Sequence, residues 1–135
     1  MRGSGHGARC GRGTAIGLAL LLGACTVGDR AEALFHRQHR ALAALTITID
    51  DIQGRQPALA DRLYTREEEL YSACGPLQTA GQRRLESESI APDLRWEVYQ
   101  ALDACTRATQ EVEHLIRRVH PDAAERYLDA HDPAS

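Results

Sequence analysis

The chain has 135 residues, with 16 arginines, 19 acids, no lysine, no asparagine and a formal net charge of −3. That length admits one ordinary domain and excludes multidomain enzymes, (β/α)₈ barrels and polytopic channels. Aromatics make up only 4% of the residues, while Ala, Leu, Arg and Glu dominate, a composition that favours helices.

The N-terminus is bipartite. Residues 1–13 carry Arg2, Arg9 and Arg12 among five glycines and no acid. Residues 14–24 have no charge and are rich in Leu, Ala and Gly. Eleven apolar residues at 1.5 Å each span about 16 Å, short of a hydrocarbon core of roughly 30 Å. A basic start, a short apolar run and a small-residue end have the form of a secretory signal peptide rather than a membrane-spanning helix.

The run closes on Leu22-Gly23-Ala24-Cys25. This tetrapeptide resembles the lipobox of bacterial lipoproteins, and the resemblance covers about the first 25 residues. It implies removal of residues 1–24, a diacylglycerol on Cys25 and an N-acyl chain on the exposed amine. Those covalent lipids are the only attached groups expected, and no other cofactor is. Several acyl chains at about 0.8 kcal/mol per buried CH₂ hold a protein firmly to a bilayer. By resemblance to enterobacterial sorting, Thr26 in place of an aspartate points to the outer membrane, facing the periplasm.

The mature chain keeps all 19 acids and 13 of the 16 arginines, so its formal charge is −6. That disfavours a general grip on nucleic acid, which needs a cationic surface. Cys74 and Cys105 are the two cysteines left without lipid in an exported chain, and a disulfide between them is expected.

Residues 25–29 read as a lipidated tether and 30–135 as a helical domain. Asp29, with Glu32 three residues on, has the form of a helix start. Phe35, Leu42, Leu45, Ile49 and Ile52 then follow helical steps with Gln38 the one polar residue in the stripe, predicting a first helix over about 30–53. The alternating Thr46-Ile47-Thr48-Ile49 offers a short strand as a rival, with no partner strand elsewhere. Gly54 and Pro57 break the helix. Leu59, Leu63, Leu70 and Leu77 predict a second helix over 57–89, kinked at Gly75-Pro76, where the prolyl nitrogen forfeits a hydrogen bond. Pro92 suits a first helical turn. From there Leu94, Val98, Ala101, Cys105, Ala108, Val112, Leu115 and Val119 alternate steps of four and three, predicting a third helix over 93–119. Ala124, Tyr127 and Leu128 predict a short C-terminal helix after Pro121.

The cysteines test the register. Facing residues of an antiparallel hairpin have a constant sum of numbers. Pairing Cys74 with Cys105 places the turn beside Ile90–Pro92 and sets Leu85 opposite Leu94, Leu77 opposite Leu102 and Leu63 opposite Ile116. The expectation is an all-α three-helix bundle with a short C-terminal helix, stapled by one disulfide. By chain-entropy reasoning, closing that loop contributes about 3.5 kcal/mol.

Chemical constellations are sparse. His36 and His39 share a helix face, and Glu111 and His114 form a Glu-x-x-His of the spacing used by di-iron bundles. A zinc or copper site of His36, His39 and His114 is the sharp reading, solvated side chains the bland one. No serine sits in a Gly-x-Ser-x-Gly elbow, and amine catalysis has no lysine to use. The Glu67-Glu68-Glu69 run fans around its helix and reads as a solvated face. Arg117-Arg118 complements a helix C-terminus. Trp96 and Tyr99 lie off the third-helix seam; packing under the first helix is expected of them, and an exposed anchor is the rival. The combined expectation is a non-enzymatic, lipid-anchored envelope protein that is structural or docks another envelope protein. It does not bind nucleic acid, and self-association is possible through the seam. The rival is a periplasmic binder of metal or a small ligand.

Overall fold

A computed structural model describes residues 19–130 of the chain, and side chains for 27–130. Residues 1–18, within the segment expected to be a signal peptide, lie outside the described residues, as do the side chains of Leu22, Gly23, Ala24 and Cys25. Three long helices follow in order, α1 over Ala19–Ile52, α2 over Pro57–Leu85 and α3 over Pro92–Val119. A single turn α4, Pro121–Ala124, continues into a wider π-helical turn over Glu125–Asp129. The described residues contain helices and turns and no strand, so Thr46–Ile49 is helical despite its alternation.

The boundaries depart from expectation at two places. α1 is already helical from Ala19, the first described residue, where a start near residue 30 was expected, so Thr26–Asp29 is helical and Asp29 caps nothing. The Leu- and Ala-rich residues before Asp29 propagate a helix well and contain no proline to stop it. α2 runs unbroken through Gly75 and Pro76 but ends at Leu85, four residues before Ser89. Ser87 takes a left-handed φ of 59° in the turn that follows, which the helix cannot accommodate.

Proline and local caps set the remaining ends. Pro57 and Pro92 occupy first-turn positions, where a missing N–H costs nothing. The Leu94 amide donates to Asp93 Oδ1 at 2.9 Å. At the far end of α3 the Ala123 amide donates to His120 Nδ1 at 3.0 Å, starting α4.

α2 and α3 form an antiparallel hairpin and share the largest interface. The Cys74–Cys105 disulfide bridges them with a Cα–Cα distance of 4.7 Å, in the register expected. Leu63, Leu77, Leu102 and Ile116 are buried on either side of it. α1 packs across both helices, contributing Leu34, Ala41, Leu45, Ile49 and Ile52. It runs parallel to α3, since Arg30 reaches Asp103 at 3.2 Å and Arg37 reaches Glu113 at 2.6 Å. The result is an up-down-up bundle whose core is aliphatic.

The buried stripe of α3 differs from the expected seam. Val98, Cys105 and Val112 are buried as expected, but the second row is Leu102, Thr109 and Ile116 rather than Ala101, Ala108 and Leu115. A helix wedged between two neighbours buries a broader face than a single seam, and α3 packs against both α1 and α2. Thr109 tolerates this place because its hydroxyl donates to the Cys105 carbonyl at 2.8 Å, as buried Thr48 donates to Ala44 at 2.7 Å.

Candidate functional site

The bundle is open at one end. A groove of about 1070 Å³ lies where the first turns of α1 beyond Val27, the last turns of α2 and the start of α3 come together. Small residues create it. Gly28 and Ala31 on α1 and Ala80 and Gly81 on α2 line the walls, and a Cβ at Gly28 would meet nothing within 4 Å. Buried Leu77, Ala80 and Val98 lie at its base. Phe35 closes one side, its ring pressed so closely on the Gly81 backbone that no Cβ fits there.

Large apolar side chains stand at the mouth. Leu85 is 73% exposed, Trp96 59% and Tyr99 53%. The Trp96 and Tyr99 rings stack with centroids 5.5 Å apart. Both aromatics were expected to pack under α1; they instead stack on each other at the surface. Their polar surroundings are largely self-paired. Arg84 reaches Glu32 at 3.5 Å across the α1–α2 gap, Arg83 reaches Glu88 at 3.9 Å, and Arg95 Nε donates to the Ile90 carbonyl at 3.1 Å.

The histidines do not converge. His36 lines the groove with its ring 5.7 Å from that of Phe35 and edge-on to it, and the His39 ring lies 4.3 Å from the same ring, tilted by 51°. His39 Nδ1 lies 3.0 Å from the Phe35 carbonyl oxygen. His114 is exposed on α3, and Glu111 of the Glu-x-x-His pair engages Arg66 at 3.2 Å. Among the described residues no group of three His, Cys, Asp or Glu side chains is placed to hold a metal ion.

Of two polar features of the core, sequence reasoning missed the first and only marked the position of the second. Arg37 Nε and Nη2 donate to Glu113 Oε1 and Oε2 at 2.7 and 2.6 Å, a two-pronged pair joining α1 to α3. The Glu113 hydrogen bonds and charge hold the Arg37 guanidinium above its usual range, against the opposing effect of burial. Gln38, one residue on, is fully buried, and neither end of its amide has a hydrogen-bond partner. Only its place in the apolar stripe of α1 marked it in the sequence.

No helix among the described residues is long and apolar enough to cross a membrane. Comparison with protein-family models, curated proteins and solved structures finds no match for the chain.

Proposed function

We propose that this chain is a lipid-anchored protein of the bacterial cell envelope whose helical bundle serves as an interaction module facing the periplasm. The observation that carries the reading is the Leu22-Gly23-Ala24-Cys25 sequence at the end of a short apolar run, directly ahead of the bundle. Membrane attachment in this reading is through lipid on Cys25, and no described helix is long and apolar enough to cross a bilayer. The sides of the bundle offer contact surface. Tyr64 and Tyr71 stand one heptad apart on α2, each 48% exposed, and aromatic side chains of this kind dominate binding energy at interfaces.

Two measurements test it. Growth with an alkyne-bearing palmitate analogue labels the protein, and Cys25→Ser abolishes the label; an unlabelled wild-type chain rejects the anchor. A photoreactive amino acid at position 71, activated in intact cells, captures a reproducible envelope protein. Recovery of no specific partner rejects the interaction role.

The groove favours a second reading, a periplasmic binder of a small apolar ligand. Its size and largely apolar lining match those of small-molecule pockets. A ligand that co-purifies with the protein and is lost when the groove is filled by Gly28→Phe would carry that reading over the first.

A further inference from the structure

We infer that the open end of the bundle is a bilayer-docking face: Trp96, Tyr99, Leu85 and Ile90 seat in the interfacial layer of the membrane that holds Cys25. The inference rests on the lipid-anchor reading and extends it, because it fixes which end of the bundle meets the lipid and through which residues.

Chain position is the first argument. Cys25 stands on α1 only three residues before Gly28, which lines the groove. Val27, which lines the groove, is only two residues away, a rise of about 3 Å along the helix axis. Lipid therefore enters at the mouth of the groove. The far end of the bundle, where Asp51 faces His120 at 3.4 Å, is the full length of α3 away.

The chemistry of the mouth fits that neighbour. Tryptophan and tyrosine favour the membrane–water interface, where the ring body meets acyl chain and the N–H or O–H meets head group and water. Exposed Leu85 and half-buried Ile90 extend the same apolar surface. A lone patch of this size would bind a free bilayer weakly, but anchoring at Cys25 makes the contact intramolecular and holds the local lipid concentration high.

Charge selects the lipid class. Arg30, Arg83, Arg84 and Arg95 stand at this end against Asp29, Glu32, Glu86, Glu88, Asp93 and Glu97. Three of the four arginines are paired to acids, Arg30 to Asp103, Arg83 to Glu88 and Arg84 to Glu32. A surface without cationic excess gains nothing from anionic head groups. The docked surface is zwitterionic lipid.

Trp96 is the only tryptophan of the chain, so its emission reports the contact directly. The full chain, processed by its host, is placed in phosphatidylcholine vesicles with plain or brominated acyl chains. Flotation and intact mass read anchoring independently of fluorescence. Docking produces a loss of emission of about twofold or more in the brominated vesicles with little quenching by aqueous iodide, as a side chain buried roughly 5–10 Å into the interface requires. Leu85→Asp, at a position too exposed to disturb the fold, reduces that loss. Three outcomes overturn the inference. An acylated, floating protein whose Trp96 is quenched by iodide but not by bromine has its open end in water. Protection from both quenchers means another protein or a second copy covers the mouth. A chain that carries no acyl mass and stays off the vesicles rejects the anchor, and the docking falls with it.

Discussion

Arg37 and Glu113, 76 residues apart, face each other through two parallel hydrogen bonds of 2.7 and 2.6 Å. The Glu113 side chain is 11% exposed and that of Arg37 38%. The pair joins the two parallel helices, α1 and α3, which no loop connects directly.

Removing one partner strands the other. Glu113→Gln or Arg37→Met is expected to lower stability by about 1–3 kcal/mol, below the cost at a fully buried pair because solvent still reaches the guanidinium. The double variant Arg37→Met/Glu113→Leu loses less than the two single losses combined, since no buried charge is left alone. Urea unfolding followed by circular dichroism measures all three. Strict additivity would show that the two side chains do not interact.

Gln38 makes the opposite case. Its amide is fully buried with no hydrogen-bond partner among Leu34, Ala41 and Leu45 of the same helix face. Replacing it by a side chain of similar size without polar atoms removes a desolvation cost of about 1–3 kcal/mol. Gln38→Leu should therefore raise the urea midpoint, and a lower midpoint would mean that the amide has a role the fold does not show. Stabilisation by loss of a polar side chain is uncommon enough to make the test sharp.

Cys74 and Cys105 are both wholly buried, so a reductant reaches them only when the hairpin opens. Dithiothreitol should leave the native disulfide largely intact and reduce it rapidly in denaturant. Once the bond is gone, as in Cys74→Ala/Cys105→Ala, the loss is about 2–5 kcal/mol. Thermal melts with and without prior reduction under denaturing conditions give the comparison. Quick reduction under native conditions would contradict the burial.

Gly81 predicts a reversal of the usual helix rule. Alanine in a helix interior normally gains about 1 kcal/mol over glycine. Here a Cβ would fall 2.5 Å from Phe35 Cδ2 and 2.6 Å from Cζ, so the ring must move. Gly81→Ala is expected to cost about 1–3 kcal/mol, as overpacking does. In a Phe35→Leu background the same substitution should be neutral or stabilising, and equal effects in both backgrounds would show that Phe35 is not pressed against this turn.

Much of this architecture could be read along the chain because it depends on local chemistry. Pro57, Pro92 and Pro121 interrupt backbone hydrogen bonding wherever the chain goes, and each stands in a first helical turn. The Cys74–Cys105 register followed from the constant sum of an antiparallel hairpin, which needs only two helices and one turn. The start of α1 was misplaced because a cap motif at Asp29 was weighed above the helix propensity of the residues before it.

The sequence by itself determined three helices, their breaks, the disulfide that locks two of them and the signal-like N-terminus. Each is a property of a short segment, or of one pair within a hairpin. Only the tertiary structure decided which flank of α3 faces inward, how Arg37 finds Glu113, that Trp96 and Tyr99 stand in the open, and that small residues on α1 and α2 leave a groove beside them. Those outcomes depend on how α1 lies across the hairpin. Helical periodicity gives the width of an apolar face but not the neighbour that will cover it.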